Sequence, residues 1–214
     1  MRTSVMVASL FVISFLVSGP SMAQTPLKVA EVSSSVASEA TSSQWEALAQ
    51  RLGDVKQLKA AFTQTRWLGA TGQTLISTGT LELDHAGSFL WTQLVPFKQV
   101  VRLQGDTFSI QYEDEPAEVM TKATHPAVWA AAEMLAGVMR LDVATLTQHF
   151  TGTLKEDPVK KGSWTATLEP KEAHLKQLLG TVVVSGDTVV RAFTMTPNPE
   201  NRTEMTLSDI EVVR

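Results

Sequence analysis

From Leu58 to Tyr112 the chain repeats one short pattern: apolar side chains at every second position, then a turn. Leu58, Ala60 and Phe62 alternate with polar partners, and Gly69 and Gly72 mark a turn. Leu81 and Leu83 follow, then Gly87, then Phe89 and Trp91, with Pro96 ending that run. Val101 and Leu103 come next, Gly105-Asp106 turns the chain, and Phe108, Ile110 and Tyr112 alternate again. A period of two places such residues on one face of a strand. The spacing leaves no room for the helical crossovers that parallel pairing needs, so the prediction is an antiparallel meander. The pattern returns near the C-terminus in Trp164, Ala166 and Leu168 and in the β-branched run 181–185. Gly186-Asp187 then reads as a hairpin turn, and Val189, Arg191, Phe193 and Met195 are expected to share one face. Pro197 and Pro199 flank a loop, and Met205 and Leu207 begin a last strand that ends near Val213.

Between the two strand sets lies PAVWAAAEMLAGVMRL, residues 126–141. Pro126 suits the first helical position. Glu133, Gly137 and Arg140 form a narrow stripe and nearly all the rest is apolar, so this helix is either buried or covers an apolar surface. Asp142 caps a second short helix over 143–149, and a third is expected at 171–177. Ser43, with Glu46 at capping-box spacing, is expected to open an amphipathic helix that carries Trp45, Leu48, Ala49 and Leu52 and stops at Gly53. About ten or eleven strands and three or four helices result. Antiparallel strands in that number curl into a barrel or half-barrel. A half-barrel exposes its concave face, and the apolar central helix is the candidate cover.

The N-terminus reads as an address. Arg2 precedes an apolar run from Val5 to Val17, Gly19-Pro20 breaks it, and Ser21-Met22-Ala23 fits a signal peptidase site. The run is shorter than the roughly 20 residues of a bilayer span. Residues 1–23 are therefore expected to be a cleaved signal peptide, residues 24–43 a flexible Ser-rich tail, and residues 44–214 one domain in the periplasm. The chain has no Cys, which excludes disulfides, thiolate metal sites and a Cys nucleophile. A net charge of -4 argues against nucleic acid as a partner.

Catalytic patterns are sparse. The four histidines, His85, His125, His149 and His174, show no metal-ligand spacing, and neither a nucleophile elbow nor a phosphate-cradling loop is present. No metal and no cofactor are expected. Glu113, Asp114, Glu115 and Glu118 read as a solvated acidic loop after Tyr112. Trp and Met are spread along the chain: singly they are core residues, and as a set on a curled sheet they can line a cavity.

One ordered set of motifs is more informative. Phe62-Thr63-Gln64 is followed by Gly79-Thr80-Leu81-Glu82-Leu83, then Phe89-Leu90-Trp91, Pro96, Gln99-Val100-Val101, the Gly105-Asp106 turn and Tyr112. This layout resembles the outer-membrane lipoprotein carrier (LolA-like) family over about 55 residues. The resemblance implies an α+β fold: an unclosed antiparallel β-barrel with a helical lid over an apolar cavity. It implies a monomeric periplasmic carrier, not an enzyme. Such a carrier takes acylated lipid or lipoprotein cargo from an inner-membrane exporter and passes it to an outer-membrane acceptor. The lining expected from it comprises Leu81, Leu83, Phe89, Trp91, Phe108, Ile110, Phe193 and Met195 on strands, with Trp129, Met134, Leu135 and Met139 on the lid. Founding carriers hold the lid with an Arg just before the F-x-W strand. Asp84-His85-Ala86 stands there, with His85 at the matching position, and imidazole lacks the fixed charge and five-donor fork of Arg. Two other readings stay open: a lipid-sensing adaptor of an export complex, and a hydrolase of an envelope lipid using His85 and Asp84.

Overall fold

A computed structural model describes residues 39–53, 55–84, 86–125, 129, 136–138, 140 and 142–214. The expected signal peptide, the tail up to residue 38, and His85, Met134, Leu135 and Met139 lie outside the described residues.

The alternating segments become eleven strands of one sheet: β1 (Gln57–Leu68), β2 (Gln73–Asp84), β3 (Phe89–Val95), β4 (Gln99–Gln104), β5 (Thr107–Tyr112), β6 (Glu118–Thr121), β7 (Phe150–Glu156), β8 (Trp164–Pro170), β9 (Thr181–Gly186), β10 (Val190–Asn198) and β11 (Asn201–Val213). The spatial order is β6-β5-β4-β3-β2-β1-β11-β10-β9-β8-β7, and every strand pair is antiparallel. Each half is thus a meander, and the two halves are sewn together by β1 against β11. The outer strands β6 and β7 do not pair with each other, so the barrel is unclosed. The chain crosses from one open edge to the other between Thr121 and Phe150, and Trp129, Ala136, Gly137, Val138 and Arg140 on this crossing are helical. Helices whose full range lies among the described residues are α1 (Ser42–Leu52), α2 (Val143–His149) and α3 (Ala173–Leu179).

Several local details differ from the sequence expectation. The cap of α1 is Thr41 and not Ser43: Thr41 N–H donates to Gln44 Oε1 at 2.8 Å and Gln44 N–H returns to Thr41 Oγ1 at 3.4 Å. Starting there closes a reciprocal box two residues earlier and still buries Trp45, Leu48 and Leu52. The ordered fold reaches back further, since Ala40 N–H donates to Gly152 O at 2.7 Å. Glu118, read as part of a loop, begins β6. Strand β7 had no sequence signal because Gly152 interrupts its alternation; a Cβ there would come within 3.1 Å of the Trp45 ring. Helix α3 starts two residues later than expected and ends at Gly180, whose φ of 57° favours glycine.

Register shifts reset the pairing in four places, one of them between Met195 and Asn198 of β10 against β11. Between β9 and β10 the pairing slips from Val190 to Ala192, so Arg191 is exposed while Val190 and Phe193 are buried. Arg191 therefore does not share a face with Phe193 and Met195. In β11, Asp209 (φ 50°) and Ile210 together oppose Ala60, which keeps Leu207 before the bulge and Ile210 and Val212 after it turned to the core. In β3, Leu94 is the extra residue, opposite the close approach at Gly79. A Cβ on Gly79 would collide with Thr92 O and the Phe62 ring, so only glycine fits there.

Candidate functional site

The register arranges the inward side chains of β1–β5 in rows. The first row runs Phe108, Leu103, Phe89, Leu83, Leu58 and the second Ile110, Val101, Trp91, Leu81, Ala60. All ten are buried. Six of the expected strand residues thus meet in two adjacent rows: Leu81, Leu83, Phe89, Trp91, Phe108 and Ile110. Direct cross-strand neighbours stand about 5 Å apart at Cβ, so these rows form a continuous apolar surface. Trp91 lies against Phe62 with ring centroids 4.1 Å apart and against Phe89 at 6.3 Å.

Phe193 and Met195 are buried as well, but on β10, beyond the β1–β11 seam, where Phe193 aligns with Met205 and Val184. Trp129, on the crossing, joins the same buried cluster. Helical chain between the two open edges therefore contributes at least one large side chain to the interior.

The next rows change character. The third is Tyr112, Gln99, Gln93, Gly79, Phe62, Leu207, and the fourth begins Ser77, Gln64, Met205. Gln64, Ser77, Gln93 and Gln99 are buried. Gln93 Nε2 donates to Phe97 O at 3.2 Å. Gln64 Nε2, Trp91 Nε1 and Trp129 Nε1 have no protein partner, and Gln99 Nε2 and Tyr112 OH have none beyond each other. An unmet buried polar group costs about 1–3 kcal/mol, so such a group asks for an explanation. Burial pushes the Tyr112 phenol above its ordinary value; Gln99 beside it draws it down and the Glu118 carboxylate pushes it further up. Gln64 and Gln99 stand in the motifs quoted above without being assigned to the buried face, yet Gln64 comes two places after Phe62, Gln93 two after Trp91 and Gln99 two before Val101, all in phase with it.

Other candidates have structural tasks. Asp84 Oδ1 accepts from Ser88 N–H at 2.8 Å and closes the β2–β3 turn. Glu113 Oε1 accepts from Lys98 N–H at 2.9 Å, which ties the acidic loop to β4. His149 Nδ1 stands 3.2 Å from Glu172 Oε1 at a half-exposed position. Among the described residues, no group of three or more His, Asp and Glu could hold a metal ion, and no helix is long and apolar enough to cross a membrane. A cleft of about 430 Å³ at the end of β1–β4 and β11 is lined by Leu58, Leu83, Phe89 and Leu103 of the first row together with the charged Lys59, Glu82, Arg102 and Glu211.

A family model for the outer membrane lipoprotein carrier protein LolA matches residues 53–214. No curated protein sequence matches the chain. Solved structures of similar course include a LolA superfamily protein from Nitrosomonas europaea, at TM-score 0.42 and 7% identity over 82% of this chain and 94% of that one. The lipoprotein LppX of Mycobacterium tuberculosis gives TM-score 0.41 and 14% identity over 81% and 95%. The Pseudomonas aeruginosa MucA/MucB complex gives 0.43 and 12% over 82% and 58%.

Proposed function

Because the chain belongs to the outer membrane lipoprotein carrier family, we propose that it is a periplasmic carrier that hides the acyl chains of lipid or lipoprotein cargo inside its unclosed barrel. The observation that carries this reading is the pair of apolar inward rows on β1–β5, lying in a sheet whose open edges are joined by helical chain. Burying hydrocarbon yields about 0.8 kcal/mol per CH₂, so such a surface suffices to take acyl chains from water. Cargo enters from an inner-membrane exporter and leaves to an outer-membrane acceptor. The carrier binds no nucleotide, so direction comes from the partners' relative affinities. Residues 1–23 direct export and are removed, and the mature protein works as a monomer. Met134, Leu135 and Met139 complete the lining from the lid, and His85 occupies the latch position.

Native mass spectrometry of the protein isolated from its envelope tests the reading. One acylated molecule per chain is the expected result. A lipid-free mass with no uptake of added diacylated lipopeptide sinks it. A stoichiometric protein complex in place of bound lipid marks an adaptor instead.

A further inference from the structure

The register brings three of the donors on the sheet interior together. Gln99 and Tyr112 oppose each other directly on β4 and β5. Trp91 is the diagonal neighbour of Gln99, since Trp91 pairs with Val101, two residues along β4. Gln64, on β1 opposite Ser77, lies apart from these three, three strands from β4. Gln64, Trp91 and Gln99 are each more than nine-tenths buried. The indole fixes the sign of what is missing: Trp91 Nε1 can only donate, so its partner must be an acceptor.

The surroundings narrow the acceptor to a neutral one. Val101, Ile110 and Leu81 stand in the row above, and an anion buried against them would be far more costly than a carbonyl. The Glu118 carboxylate acts on Tyr112 from the neighbouring strand and would repel an anion at the same place. Acyl cargo carries neutral acceptors at one point, where its chains join the glycerol through ester carbonyls. That point falls at the border between hydrocarbon-like rows and donor-bearing rows.

Resting on the carrier reading above, we propose that Trp91, Gln99 and Tyr112 form a donor patch that receives the ester carbonyl oxygens of diacylated cargo, with the chains lying over the apolar rows. Cargo is thereby held in one register and distinguished from hydrocarbon of equal length.

The test compares dipalmitoylglycerol with its dialkyl ether analogue, which has the same chains and no carbonyls. Each is offered to the delipidated full chain and its affinity is measured by tryptophan fluorescence. The ester is expected to bind about tenfold more tightly, the scale of one or two net hydrogen bonds. With ¹³C-labelled carbonyls, the infrared stretch of the bound ester should fall below its value in alkane. Gln99→Leu should narrow the ester-to-ether preference to about threefold. Should that variant fail to fold, the ester-to-ether ratio on the unaltered chain still decides. Equal affinities with no infrared shift overturn the patch, leave the carrier reading standing, and assign the donors to water. Binding of neither lipid overturns both. A diacylglyceryl-cysteine peptide competing against free diacylglycerol then separates the two sources of the same ester pair; whichever is preferred should bind about threefold more weakly to Gln99→Leu, and unchanged binding overturns the patch.

Discussion

Two tryptophans, one on each half of the sheet, occupy opposite situations. Trp164 on β8 is 1% exposed, and its indole N–H donates to Asp187 O at 2.9 Å. Trp91 on β3 is 8% exposed, and its indole N–H finds no protein partner. The neighbours follow suit. Around Trp164 the inward residues are Ala166, Leu168, Val182 and Val184, with no polar side chain among them. Around Trp91 the apolar rows give way to Gln93, Gln99 and Tyr112. The C-terminal half is organised as a closed packing unit, and the N-terminal half as a surface with unmet donors. A fold that needed both halves only for stability would have no reason to differ in this way.

The largest expected effect lies on the packed side. Trp164→Ala removes a fully buried ring and should cost about 3–5 kcal/mol, read as a lower midpoint in chemical denaturation. A midpoint near that of the parent would mean that the C-terminal half is not the stabilising unit. Next comes Gly79→Val, which forces a side chain against Thr92 O and Phe62; overpacking of this kind costs about 1–3 kcal/mol. It should also displace the Phe62–Trp91 pair, which a change in tryptophan emission would report.

Asp187 probes the packed half through acid. Burial raises its carboxyl, but the Arg191 side chain and the Thr188 and Val189 amides outweigh this and hold it below the ordinary value. A group depressed in the folded state contributes stability above its unfolded value, near 4, and loses it as pH falls through the folded value. Asp187→Ala should therefore cost about 1 kcal/mol at neutral pH and nearly nothing in strong acid. A cost independent of pH would remove the ion pair from the account.

The smallest effect belongs to Trp91→Phe. It deletes a donor that bonds to no protein atom and keeps most of the ring, so stability should change by less than about 1 kcal/mol. The same replacement at Trp164 leaves Asp187 O without its donor and should cost more. Equal costs at the two sites would dissolve the contrast on which the donor patch rests.

Much of this was readable before any coordinates. The alternation from Leu58 to Tyr112 marks five strands, and the same phase rule collects Leu81, Leu83, Phe89, Trp91, Phe108 and Ile110 on one face. Which of them are neighbours depends on register, and register is set by turns and bulges that have no apolar signature. Asp209 and Leu94 look like ordinary strand residues in the sequence, yet each adds one residue to its strand. Arg191 was placed on the wrong face for the same reason. The donor rows escaped notice because a glutamine in phase with phenylalanine reads as a lapse in the pattern, when here it continues the buried face.

The seam between β1 and β11 has a consequence in time. Strands next to each other at the centre of the sheet are separated in sequence by nearly the whole domain, so this contact closes a very long loop. During synthesis, β1 and its meander emerge long before their central partner exists. A chain of this topology stays incomplete until β11 arrives, and it remains threadable for as long as it is incomplete. Under the export proposed above, in which the chain crosses a membrane as an extended strand, late closure is a working advantage.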